Sequence, residues 1–125
     1  MKNKFYLRAY GDEINIRLFH KNLRMDEAII KPLRNDEGWH WYLPYNDCSS
    51  LFPEDELEKF LSDNPDLIDD IRKYRHLLAG LMAIIVCEVN EFENPKGYSI
   101  SPSLMKALSE IGAFLEIDII NKLTS

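Results

Sequence analysis

The chain is poor in the residues that most often announce chemistry. Only two cysteines, Cys48 and Cys87, occur in 125 residues. Two thiols without a local motif make neither a disulfide framework nor a thiolate zinc site, and a reduced cytoplasmic protein is expected. The three histidines, His20, His40 and His76, form no HExxH, so no metal is expected. The five glycines are scattered, which excludes a glycine-rich phosphate loop, and GxSxG is absent. No catalytic residue is therefore assigned, and neither an enzymatic activity nor a cofactor is expected. Positive charge is also scarce. Fifteen Lys and Arg face twenty-one Asp and Glu, for a net charge of -6 and a pI near 5.0. That balance speaks against a general nucleic-acid binder, whose affinity comes from neutralising phosphates. The longest apolar run, Leu77–Val86, is too short to span a bilayer. No apolar segment follows Met1-Lys2-Asn3-Lys4, so no signal peptide is expected.

What remains is enough for one folded domain over residues 1–125. Hydrophobic residues make up 46%, more than a disordered chain carries, and a chain of this length buries a real core without staples. Phe5–Tyr10 reads as a strand, with Phe5, Leu7 and Ala9 alternating against Tyr6, Arg8 and Tyr10. Asp12–Met25 is open between two readings. Ile14, Ile16 and Leu18 alternate as a hairpin arm would, while Ile14, Leu18, Phe19 and Leu23 suit a helix capped by Asp12. Ala28–Leu33 is a short apolar run stopped by Pro32. The stretch Arg34–Gly38 reads as a hairpin loop, and Trp39–Leu43 as a strand with Trp39, Trp41 and Leu43 on one side and His40 and Tyr42 on the other. Pro44–Ser50 reads as a loop.

Two helices with proline at their first position follow, Pro53–Leu61 and a second starting at Asn64-Pro65 and continuing to Leu78, with Gly80 as its stop. Leu57, Phe60 and Leu61 mark the apolar face of the first, and Leu67, Ile68, Ile71 and Tyr74 that of the second. Leu81–Val89 reads as a central strand covered on both sides. Glu91–Tyr98 reads as a loop. Ser101-Pro102 opens a last helix with Leu104, Met105, Leu108 and Ile111 as its stripe and Gly112 as its stop. Phe114–Ile120 reads as the final strand, and Asn121–Ser125 as a frayed tail. The order predicts an α+β fold, a mixed or antiparallel sheet with helices mainly on one face. It becomes ferredoxin-like with a C-terminal addition if Asp12–Met25 is helical.

Tyr10-Gly11-Asp12, then Gly38-Trp39-His40-Trp41, then Ser101 to Ile120 with Gly112 and Ile117-Asp118-Ile119 resemble an uncharacterised bacterial family, the domain-of-unknown-function family four-two-seven-nine. The likeness is most specific over residues 98–120. It implies a small α+β protein with a helix after the first strand, which tips Asp12–Met25 toward helix. It implies no activity.

Charge is unevenly placed. Residues 1–34 hold eight Lys or Arg against four acids, and the remainder seven against seventeen. Such asymmetry suits a charged partner. The leading expectation is a non-enzymatic protein-binding module, of the type of an immunity protein that blocks a basic toxin cleft. Its acidic surface would come from Glu54–Asp70 (Glu54, Asp55, Glu58, Asp66, Asp69, Asp70) or from Glu88–Glu93. The same acids also complement the helix dipole, which explains them without a partner. The alternative is a small-ligand module or minor enzyme around His40, Trp41 and Tyr42. Asp118 joins that set if both faces of the sheet are covered, because a buried carboxylate needs a partner. A homodimer joined at a strand edge is a third expectation. Nucleic acid and membrane are not expected partners.

Overall fold

A computed structural model describes residues 2–23, 25–34, 37–43, 46–48, 52–90 and 97–122. The alternation at the N-terminus gives β1, Lys2–Gly11. Gly11 ends it, and Asp12 starts the helix α1, Glu13–Asn22, by accepting the Asn15 backbone N–H at 2.8 Å. The open question at Asp12–Met25 is thus answered as helix, although the buried stripe is Ile16, Phe19 and Leu23 while Ile14 and Leu18 face solvent. Strands β2, Ile29–Pro32, and β3, Trp39–Tyr42, form the antiparallel hairpin. Gly38 at its turn has φ +120°, and a Cβ there would lie 2.8 Å from the Gly11 carbonyl oxygen. Only glycine avoids both penalties. Of the Arg34–Gly38 loop, residues 35 and 36 lie outside the described residues.

The Pro44–Ser50 segment departs from its loop reading. Asn46–Cys48 forms a short strand, β4, that continues the β3 edge along β1. Arg8 pairs with Tyr42 and Phe5 with Asn46. The three residues of β4 are too few to show an alternation of their own.

Helices α2, Pro53–Asp63, and α3, Pro65–Tyr74, follow as expected. Asn64 does not cap α3 with its side chain. Its Nδ2 instead donates to the Phe60 carbonyl at 2.7 Å, closing α2. Helix α3 gives way to a 3-10 turn, Arg75–Leu77, and Gly80 opens the strand β5, Gly80–Asn90, instead of ending the helix. Ser101 caps α4, Pro102–Glu110, through its hydroxyl to the Leu104 N–H at 3.0 Å. Leu104, Leu108 and Ile111 are buried, but Met105 is 53% exposed. Gly112 leaves the helix at φ +65°, and Arg75 donates to its carbonyl from Nε at 3.2 Å and Nη2 at 3.0 Å. This ties the end of α4 to the end of α3. The last strand, β6, is Phe114–Lys122, so Asn121 and Lys122 belong to it; residues 123–125 of the expected tail lie outside the described residues.

The six strands form one sheet in the order β2-β3-β1-β5-β6, with β4 beside β1. The pairs β1–β3, β1–β5 and β2–β3 are antiparallel and β5–β6 is parallel. The first part, β1-α1-β2-β3-helix-β5, is the ferredoxin-like arrangement. Helix α4 and β6 add a parallel crossover unit. The fold is α+β with a mixed sheet.

Register sorts the side chains onto two faces. Phe5, Leu7 and Ala9 of β1, Trp41 of β3 and Leu81, Ala83 and Ile85 of β5 share a face, and form one core with Ile16, Phe19, Leu57, Leu61, Ile71, Leu104 and Leu108 from the helices. The other face carries Tyr6, Arg8, Tyr10, His40, Tyr42, Met82, Phe114 and Glu116. Helices lie mainly on the first. The second is more open: Phe114, on the edge strand β6, is 70% exposed. Ile84 and Val86 are nevertheless buried in the middle of this face, as expected of a strand with neighbours on both sides.

Candidate functional site

Residues at consecutive positions of β3 divide between the faces. Trp41 is fully buried, its ring edge-on to Phe19 at 5.2 Å. It is a core residue and cannot touch a ligand, which corrects its placement in a cleft. Trp39 is half-buried beneath the Arg17 guanidinium, 4.5 Å from its ring centre, and Arg17 is held by Glu13 at 2.8 Å. His40 and Tyr42 point the other way.

There they line a shallow hollow of about 310 Å³ with Tyr6, Arg8 and Lys31. Lysine, arginine and imidazole meet here, and among the described residues no carboxylate joins the lining. The His40 and Tyr42 rings stand 5.2 Å apart at 55°, and Lys31 Nζ sits 5.9 Å from the Tyr42 ring centre. Arg8 Nε and His40 Nδ1 are both shielded from solvent and have no hydrogen-bond partner. Desolvation, then the nearby charges of Arg8 and Lys31, hold His40 below its ordinary pKa of 6.5. A neutral imidazole between two cations marks a locally positive hollow on an acidic protein.

Asp118 does not belong to this hollow. It is half-buried on the same face, opposite Val86, but on β6. Three strand spacings, about 14 Å, separate β6 from β3.

The acidic residues also divide. Glu54 is only 3% exposed, and its Oε2 accepts the Ser99 N–H at 2.9 Å. Glu58 accepts the Ser101 hydroxyl at 2.9 Å. These two carboxylates hold α2 against the start of α4; burial withdraws Glu54 from a partner surface, while Glu58 stays half-buried. Near Glu54, burial and the adjacent Cys87 thiol and Glu54 carboxylate raise the Tyr98 phenol well above its ordinary pKa. The phenol stays protonated in an interior polar cluster.

Asp55, Asp66 and Asp69 remain exposed, and Asp70 is half-buried. Asp63, Asp66 and Asp70 rim a hollow of about 250 Å³ whose other walls include Met25, Pro65 and Leu67. Asp69 flanks a neighbouring hollow with Ile68 and Arg72. Of the alternative acidic stretch, Glu88 lies 3.7 Å from Lys4 Nζ, and residues 91–93 are outside the described residues.

Tyr6, Arg8, Lys31, Met25 and Asp63 are the residues that sequence reasoning passed over. Pairing β1 with β3 and β3 with β2, as the ferredoxin-like order requires, would have put Tyr6, Arg8 and Lys31 beside His40 and Tyr42.

Among the described residues, no three His, Cys, Asp or Glu side chains gather as metal ligands, and no helix is long and apolar enough to cross a membrane. Comparison with known proteins found no matching family model, curated protein or solved structure.

Proposed function

We propose that the chain is a non-enzymatic protein-binding module that docks on a basic partner through the outer face of α2 and α3, as an immunity protein occludes a toxin's basic cleft. The hollow beside Met25 carries this reading. Three carboxylates, Asp63, Asp66 and Asp70, rim a floor that includes the apolar Met25 and Leu67. A lysine or arginine fits such a site, its stem on the apolar floor and its charged end among the carboxylates. Asp55 and Asp69 extend the same negative field, which steers a basic partner. The resemblance to the family of unknown function agrees with a small bacterial module and adds no activity.

The test is capture of the products of neighbouring genes by the purified chain, measured at about 0.05 M and about 0.5 M salt. The expected result is one basic partner whose affinity falls at high salt. The triple substitution Asp63→Asn, Asp66→Asn, Asp69→Asn should lose that binding while the fold is retained. Binding indifferent to salt and to these substitutions would refute the docking surface.

A second reading, a small-ligand module, is favoured by one observation: the two shielded and unpartnered nitrogens of Arg8 and His40 at one hollow.

A further inference from the structure

The hollow on the open sheet face has a composition that selects its ligand. Its lining is Tyr6, Arg8, Lys31, His40 and Tyr42. Arg8 is a permanent cation whose Nε–H finds no acceptor within the protein. His40 Nδ1 is likewise shielded without a partner. Of the shielded side-chain atoms without a partner, these two belong to residues of one hollow, which singles it out as a place for an outside group. Among the described residues no carboxylate lines the hollow, so its positive charge suits an acceptor brought from outside.

An oxyanion meets the requirement. Its oxygens accept from the guanidinium and imidazole groups that Arg8 and His40 present to the hollow, and Lys31 supplies a second positive charge. The Tyr42 ring is near both His40 and Lys31 and offers a flat apolar surface. The volume, about 310 Å³, suits a small ligand and not a long chain.

We propose that this hollow binds the phosphoryl group of a small phosphorylated ligand, held by Arg8, Lys31 and His40. The proposal deepens the small-ligand reading and rests on it; it does not depend on the acidic face.

The experiment follows the full chain by NMR in phosphate-free buffer while inorganic phosphate, adenosine 5′-monophosphate, uncharged adenosine or sodium chloride is added. Phosphate and the monophosphate should give saturable shifts at His40, Tyr42 and Arg8, and chloride at equal ionic strength should not. Arg8→Gln and Lys31→Gln should each weaken phosphate binding roughly ten- to a hundredfold, and Asp66→Asn should not weaken it. Lys31 is exposed, so its variant keeps the test decisive should Arg8→Gln unfold the protein. Tighter binding of the monophosphate assigns a ring-bearing ligand, and equal binding assigns free phosphate; both uphold the phosphoryl class. Saturation by adenosine alone would overturn that class while sparing the small-ligand reading. No saturable shift with any addition, or equal shifts with chloride, would overturn both.

Discussion

The two faces of the sheet treat their polar residues differently. On the helix-covered side, Glu54 meets the Ser99 N–H and Glu58 meets the Ser101 hydroxyl. Those carboxylates join α2 to the start of α4. On the open side, Arg8 Nε and His40 Nδ1 are shielded without a hydrogen-bond partner among the described residues and belong to one hollow; Trp41 Nε1 and Glu54 Oε1 on the covered side are unpartnered as well. The contrast lies in the setting: the carboxylates of the covered side join two helices, and the cations of the open side line a hollow. It also reassigns the acids: membership of one charge run says little, because Glu54 and Asp66 lie on neighbouring helices and face opposite surroundings.

The sharpest way to break this comparison uses adjacent residues of β3. Trp41→Ala should cost about 3–5 kcal/mol, since it empties a fully buried site packed on Phe19. His40→Ala should cost under about 1 kcal/mol, as a half-buried residue without internal hydrogen bonds at Nδ1. Equal losses in denaturant midpoint would show that the open face is as structural as the covered one.

A middle-sized contrast lies among the acids. Glu54→Ala strands the Ser99 N–H and should destabilise by about 1–3 kcal/mol. Asp66→Ala removes an exposed carboxylate and should change stability by no more than about 0.5 kcal/mol. Urea unfolding of the pair reads the difference directly. If Asp66→Ala proved the costlier, the division between structural and free acids would be wrong.

The smallest effect is in pH. His40 is held below 6.5 in the folded protein by desolvation and by Arg8 and Lys31. A depressed value means that the unfolded chain takes up the proton first. The contribution is therefore full above about pH 6.5 and is lost as pH falls through the folded value. Because the ring is half-buried, the loss should be slight, and His40→Gln should remove it from the pH profile of thermal unfolding.

Most of the fold was legible because local signals agreed. Ser101 accepts a backbone N–H three residues on at 3.0 Å, as its position before Pro102 predicted, and Asp12 does so at 2.8 Å, which decides for the helical of its two readings. Alternation correctly put Trp41 and His40 on opposite sides of β3. It did not say which side was which, so Trp41 stayed beside His40 in the small-ligand alternative. Where the sequence misled, tertiary pairing was the cause. Strand β4 is only three residues long and gains its pairing from β1 beyond the Pro44 region. Met105 joined the apolar stripe of α4 by spacing, yet its side of the helix meets no core. Glu54 looked like surface because Ser99, its partner, lies 45 residues away. The hollow escaped for the same reason, as Arg8, Lys31 and His40 come from three strands whose order no local pattern reveals.

The most direct test of an open face reserved for an external anion is the ring titration of His40, followed by NMR with and without phosphate. In phosphate-free buffer His40 should titrate below 6.5, and saturating phosphate should move its midpoint upward, since a bound anion favours the imidazolium. A midpoint that ignores phosphate would contradict the account.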